Sequence, residues 1–235
     1  MIITSSSIET VSGRYVDVAN PNPADIGAED IAWALSREPR FSGHTIHALP
    51  YTVGQHSMVV ANIVVEMFKP GTLREAALQY FHEMRLTGNF ANVAYQTIED
   101  TEVCPRALAL AALLHDASEA YLRDIPSPVK SIPGLKEAYA AIESKMMDCI
   151  SEKFGVTEDL SDIGMSPGTE HAIIHWADVY ARTIEAYHLM PSRGSPWPSG
   201  AKFKLSLVEL QQFKEPEPSL KVYQDFLVHL DSLTR

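Results

Sequence analysis

Residues 113–130 read LLHDASEAYLRDIPSPVK, and this stretch decides how the chain is organised. It continues an Ala/Leu run, ALALAALL over 107–114, whose composition predicts a helix from Arg106 to Leu122, with Pro105 suited to the first helical position. Into that apolar helix the sequence inserts His115, Asp116 and Glu119. Burying an imidazole and a carboxylate without partners costs several kcal/mol, so they must be hydrogen-bonded or metal-bound. Glu119 falls four residues after His115 and three after Asp116, a spacing that brings all three to one helix face. A divalent cation is the simplest shared partner. Immediately downstream, Pro126 and Pro128 restrict the residues before them, which predicts a rigid non-helical loop over Asp124–Pro128.

Upstream, IETVSGRYVDV (8–18) alternates imperfectly around Ser12-Gly13 and predicts a short β-hairpin, with a loosely held N-terminal arm as the alternative. NPNPAD interrupts regular structure, and a helix follows over 28–37, ended by Pro39. Arg40-Phe41-Ser42-Gly43-His44 reads as a turn, either a surface turn or part of a site. Thr52 and Gln55 form a capping-box pattern for a helix over 53–68 that is apolar on nearly every side. His56 lies in its first turn. A single histidine there is ordinarily a satisfied core residue, but the His-Asp pair downstream favours ligation. Thr72 and Glu75 repeat the capping pattern for a helix to about Leu86, with Gly88 as its terminator. His82-Glu83 lacks the second histidine of HExxH and reads as surface.

Toward the C-terminus, 134–154 predicts an amphipathic packing helix closed by Gly155. Ser166-Pro167 begins a long helix to about Leu189 that carries His171, His175, Asp178 and Glu185. His171, His175 and Asp178, at i, i+4 and i+7, form a rival metal constellation on one helix face. Residues 191–218 are rich in Pro, Gly and Ser and predict a long covering loop. Leu220 to Leu233 then marks a final amphipathic helix over 219–234. The expected fold is all-α, one domain over 1–235, with the N-terminal hairpin as its possible β structure.

HDASEAYLRDIPSPVK, together with GRYVDVANPNPADIGAEDIAWALSREPRFSGHT and YTVGQHS upstream, resembles the HD-domain phosphohydrolases, in their bacterial and phage nucleotidase branch that includes the YfbR-like 5′-deoxynucleotidases. The resemblance spans roughly residues 8–190. It implies a helical HD bundle and one catalytic divalent metal held by His56, His115, Asp116 and Asp178. Two neutral imidazoles and two carboxylates suit Mn, Co, Mg, Fe or Zn. It further implies Glu119 and Asp124 as catalytic acids, and Arg40, Phe41, His44, Arg123 and Lys130 as substrate contacts, although Arg123 equally suits a solvated turn. Glu185 is placed to orient a ligand from outside the first ring of contacts. The 59 positions from His56 to His115 exceed the family's compact spacing, which marks 69–104 as an insertion that serves as lid, oligomer contact or neither.

The net charge of −11 and the absence of a Lys/Arg cluster argue against a nucleic-acid polymer as partner, while a small anionic substrate needs only local cations. Two cysteines without a CxxC pattern give no disulfide framework. No apolar run long enough for a membrane span and no signal peptide is read, so a cytoplasmic protein of a bacterium or a phage-infected host is expected, acting as a homo-oligomer. The substrate class expected from the resemblance is a deoxynucleotide. The leading form is dATP, cleaved to deoxyadenosine and triphosphate with Arg40, Arg123 and Lys130 converging on the phosphates. A deoxynucleoside 5′-monophosphatase is the alternative, and a nucleotide-sensing module without turnover the second alternative. Two-metal cyclic-nucleotide phosphodiesterases are disfavoured because Ala-Ser-Glu follows the His-Asp pair where Gly-Lys is expected.

Overall fold

The apolar periodicities become helices, and the one alternating stretch becomes a hairpin. A computed structural model describes residues 3–84, 89–195, 197, 213 and 215–234. Strands β1 (Ser7–Glu9) and β2 (Tyr15–Asp17) pair antiparallel with Ile8 opposite Val16. The helices are α1 (Ala28–Leu35), α2 (Val53–Glu66), α3 (Thr72–Met84), α4 (Asn89–Glu99), α5 (Arg106–Leu113), α6 (Glu119–Leu122), α7 (Ser127–Lys130), α8 (Leu135–Phe154), α9 (Val156–Asp162), α10 (Pro167–Leu189) and α11 (Ser219–Thr234). The all-α expectation with an N-terminal hairpin holds. Most of the 191–218 loop, and the Gly88 terminator, lie outside the described residues. No described helix is long and apolar enough to cross a membrane.

Two compact units form. The first is built from Met1–Ser57, Leu114–Gly155 and Pro216–Arg235. In it α1 packs on α6 and α11. Val222, Phe226 and Leu230, at four-residue spacing, give α11 a buried stripe. Trp33 meets Tyr223 edge-on at 5.4 Å. Close packing fixes the start of α2: a Cβ on Gly54 would come within 3.0 Å of Val222 and 3.2 Å of the Leu35 carbonyl oxygen. The Gln55 backbone N–H donates to Thr52 Oγ1 at 3.3 Å, and the Gln55 side chain accepts from the Glu217 N–H at 3.1 Å. The hairpin is tied to α1 through buried Asp30, which accepts from the Ser12 N–H (3.0 Å), the Ser12 hydroxyl (2.8 Å) and Arg14 (3.2 Å).

The second unit comprises Met58–Leu113 and Val156–Glu215. The stretch 69–104 that looked inserted is largely the α3–α4 helical pair. α4 packs on α10, and α5 packs on α9 and α10. Arg74 donates to the carbonyls of Phe68, Glu99 and Thr101, satisfying backbone acceptors at helix ends. Trp176 stacks on Tyr180 at 5.0 Å. Ser166 caps α10 by accepting from the Thr169 N–H.

Two local expectations are corrected. The helix predicted over 106–122 is broken: α5 ends at Leu113, residues 114–118 form turns, and α6 begins at Glu119. The cause is a switch to shorter-range bonding, since the N–H groups of Ala117, Glu119 and Ala120 each donate to the carbonyl three residues back. In the DIPSP loop, Ser127–Lys130 forms one helical turn, because Pro128 falls at its start, where its missing N–H is not needed. Asp124 and Ile125 are non-helical as expected.

Asp30→Ala should remove all three hydrogen bonds to the hairpin and lower the unfolding free energy by about 1–3 kcal/mol. Urea denaturation should show a lower midpoint, and a midpoint equal to that of wild type would contradict the tie.

Candidate metal centre

The broken helix is what assembles the site. His115 and Asp116 lie in the tightened turn between α5 and α6, and His56 enters from the first turn of α2. Asp116 Oδ2 lies 3.1 Å from His115 Nε2 and 3.6 Å from His56 Nε2. The two imidazole rings are 5.3 Å apart. One ligating atom from each of the three residues falls within 4.8 Å of the others, the geometry of a common ion, and no other such group of His, Cys, Asp or Glu occurs among the described residues. His171 and His175 stack at 5.8 Å on α10 without forming one. His56 is fully buried. Nitrogen and carboxylate donors gathered this closely in an apolar setting fit a divalent ion.

Arg40 approaches from the turn Arg40–Gly43. Its guanidinium is buried and lies 3.6 Å from Asp116 Oδ2. Phe41 (φ 54°) and Ser42 (φ 52°) both adopt the left-handed conformation, which is costly for residues with a Cβ. That conformation turns the chain sharply after Arg40, with the Phe41 ring 5.5 Å from the guanidinium. His44 is exposed, and its N–H closes the turn on the Phe41 carbonyl.

Three acids gather here. Glu119, at the start of α6, is buried, and its Oε2 has no hydrogen-bond partner among the described residues. Burial above all, then the charges of Asp116 and Asp124, pushes its carboxyl up to about 10. For Asp116 burial also acts upward, but the charge and hydrogen bond of His115, with His56 and Arg40, outweigh it and hold the carboxyl well below the usual range. Asp124 is raised by burial; Arg40 and Lys130 oppose the shift and Asp116 adds to it. Acids placed close together with their proton affinities driven apart are the arrangement that acid–base chemistry uses.

Lys130, on α7, lies 3.8 Å from Glu119 Oε1, donates to Glu143 at 2.8 Å, and sits 4.9 Å from the Tyr139 ring centroid. Burial would lower its pKa, but the hydrogen bond and charge of Glu143 and the charge of Glu119 raise it. Arg123 is largely exposed and pairs with Glu38 at 3.0 Å. The structure thus brings together His56, His115, Asp116, Glu119, Asp124, Arg40 and Lys130. Asp178 lies on α10 in the second unit. Sequence reading missed Glu38 and Glu143, the carboxylates that engage Arg123 and Lys130. The signal available for Glu38 was an acid beside Pro39 at a helix end, which alone does not announce burial.

Residues 74–188 match a protein-family model described as 5′-deoxynucleotidase YfbR-like. The chain is 28% identical over 193 residues to the uncharacterized protein YfdR of Escherichia coli K12, covering 82% of this chain and 78% of YfdR. It is 27% identical over 176 residues to an uncharacterized protein of Rhodobacter capsulatus, covering 75% of this chain and 69% of that protein.

Asp116→Ala removes the carboxylate both imidazoles face. Elemental analysis after gel filtration in Mn²⁺ should find metal lost from the variant, and wild-type occupancy would contradict the centre.

Proposed function

We propose that this chain, a YfbR-like HD-domain phosphohydrolase acting on deoxynucleotides, removes the 5′-phosphate from deoxynucleoside monophosphates, with His56, His115, Asp116 and Asp178 holding one divalent ion. The family is metal-dependent, and the donor set described above suits it. The observation that carries the monophosphate reading is the state of the three cations. Arg40 lies on Asp116, Arg123 on Glu38, and Lys130 between Glu143 and Glu119. One phosphate needs only the ion and Arg40. A triphosphate would require Arg123 and Lys130 to leave their carboxylates.

When bound, a divalent ion lowers the pKa of water and neutralises charge on a phosphoryl oxygen. The protein's own residues supply the rest. Arg40, buried beside Asp116, offers a planar guanidinium for two phosphate oxygens. Phe41 gives the sugar or base an apolar face. Glu119, its raised carboxyl lowered by the positive charge of a bound divalent ion, receives the proton of the attacking water at Oε2, the oxygen not paired with Lys130. Asp124, whose raised pKa favours the protonated acid, gives its proton to the departing 5′ oxygen. Lys130 holds Glu119 in place while Glu143 holds Lys130.

The dATP reading keeps one support, the GRYVDVANPNPADI opening that resembles the phage enzymes. Incubating the protein with each deoxynucleoside mono- and triphosphate in Mn²⁺ or Co²⁺, then separating the products, decides between them. Orthophosphate from monophosphates is expected. Intact triphosphate from dATP, with dAMP untouched, would install the second reading, and binding without any product would make the protein a nucleotide sensor.

Glu119→Gln should cost about 10² in kcat, the scale of a lost acid–base group, while metal content stays at the wild-type level. Unchanged turnover in the variant would remove Glu119 from the mechanism.

A further inference from the structure

We propose that Glu38 is a positioning residue for the reaction: its carboxylate clamps the Arg123–Asp124 corner and so fixes Asp124 beside Asp116 and Glu119, an inference that rests on the phosphohydrolase reading above. The corner is an unusual piece of backbone. Arg123 adopts φ 73° and ψ 155°, a combination essentially confined to glycine. A side chain persists there only when its surroundings over-determine it, and Glu38 provides that determination from a buried position. Its Oε2 forms an ion pair with Arg123 Nε at 3.0 Å, and its Oε1 accepts from the Asp124 N–H at 3.2 Å, so one carboxylate grips two consecutive residues. The Tyr139 hydroxyl donates to the Arg123 carbonyl at 3.2 Å, and the Arg123 N–H donates to the Glu119 carbonyl at 3.0 Å.

Glu38 is itself held. Its N–H donates to the Ala34 carbonyl at 3.0 Å, and its carbonyl accepts from the Val53 N–H at 2.9 Å, three residues before His56. Pro39 is extended (φ −80°, ψ 130°), and in extended backbone residues two apart share a face. Glu38 and Arg40 therefore reach the site from one rigid strap, Arg40 touching Asp116 and Glu38 holding Asp124. A glycine at 123 would adopt the corner's conformation with no clamp. An arginine anchored by a buried acid instead ties the corner to the segment that carries Arg40 and leads into the His56 helix.

The test uses full-length, metal-loaded protein. Glu38→Gln keeps the shape and an acceptor for the Asp124 N–H, but presents a neutral amide to Arg123. With a deoxynucleoside monophosphate, kcat should fall by about tenfold or more, as misplacement of a reacting group does, while KM, metal content and melting temperature stay near wild-type values. Hydrogen exchange over 119–130 should speed up in the variant and remain unchanged elsewhere. Wild-type kcat in Glu38→Gln would overturn the proposal, as would a fall matched by equal loss of metal or of thermal stability. The exchange measurement does not require turnover. If wild-type protein hydrolyses no deoxynucleotide, the functional reading fails, whereas unaltered exchange at 119–130 in Glu38→Gln removes the clamp itself.

Discussion

The structure depends on one constraint: carboxylates and imidazoles taken out of water must find compensation within reach. Asp116, Glu119, Asp124 and Glu38 are brought close together at the end of an apolar helix, where each charge would be costly alone. The answers are local. His115, His56 and Arg40 serve Asp116; Arg123 and the Asp124 amide serve Glu38; Lys130 serves Glu119. Glu119 takes another route as well and keeps its proton far above the ordinary carboxyl range. A divalent ion among His56, His115 and Asp116 would complete the balance, which is why the site reads as a metal centre rather than a buried ion-pair network.

Backbone geometry makes this crowding possible. A continuous helix through 106–122 would place His115, Asp116 and Glu119 on one face, but its regular rise would hold them on a single rod. Breaking it into α5, a tight turn and α6 lets the His-Asp pair sit between two elements while Glu119 starts the next. The positive-φ residues follow the same logic. Phe41, Ser42 and Arg123 bend the chain on either side of the acids and deliver Arg40 and Asp124 to them. Strain at such positions is sustained by packing and hydrogen bonds elsewhere.

Much of this was legible in the sequence. Ala/Leu and four-residue apolar periodicity fixed the helical class, Ser166-Pro167 marked the start of α10, and the Ser12-Gly13 turn marked the hairpin. The gathering of His56 with His115 and Asp116 followed from motif resemblance, and the geometry brings the three together. The break at 114–118 was not legible, because LLHDASEAYL has good helix formers throughout and the break is set by tertiary demand. Pro128 was read as excluding helix although a proline at the first turn permits it. Glu38 and Glu143 were missed because pairing across 85 or more positions for Glu38–Arg123, or between two helices for Lys130–Glu143, leaves no local pattern. The three cations expected to converge on phosphates each engage a carboxylate in this structure, Arg40 with Asp116, Arg123 with Glu38 and Lys130 with Glu143, which no local pattern announced.

The central claim is that one divalent ion organises this site. Crystals grown with Mn²⁺, with data collected at the manganese absorption edge, test it most directly. The expected result is a single strong anomalous peak bonded to His56, His115 and Asp116, with Glu119 close by and outside the ligand set. A peak bonded instead to His171 and His175, or the absence of any peak at His56, His115 and Asp116, would contradict it.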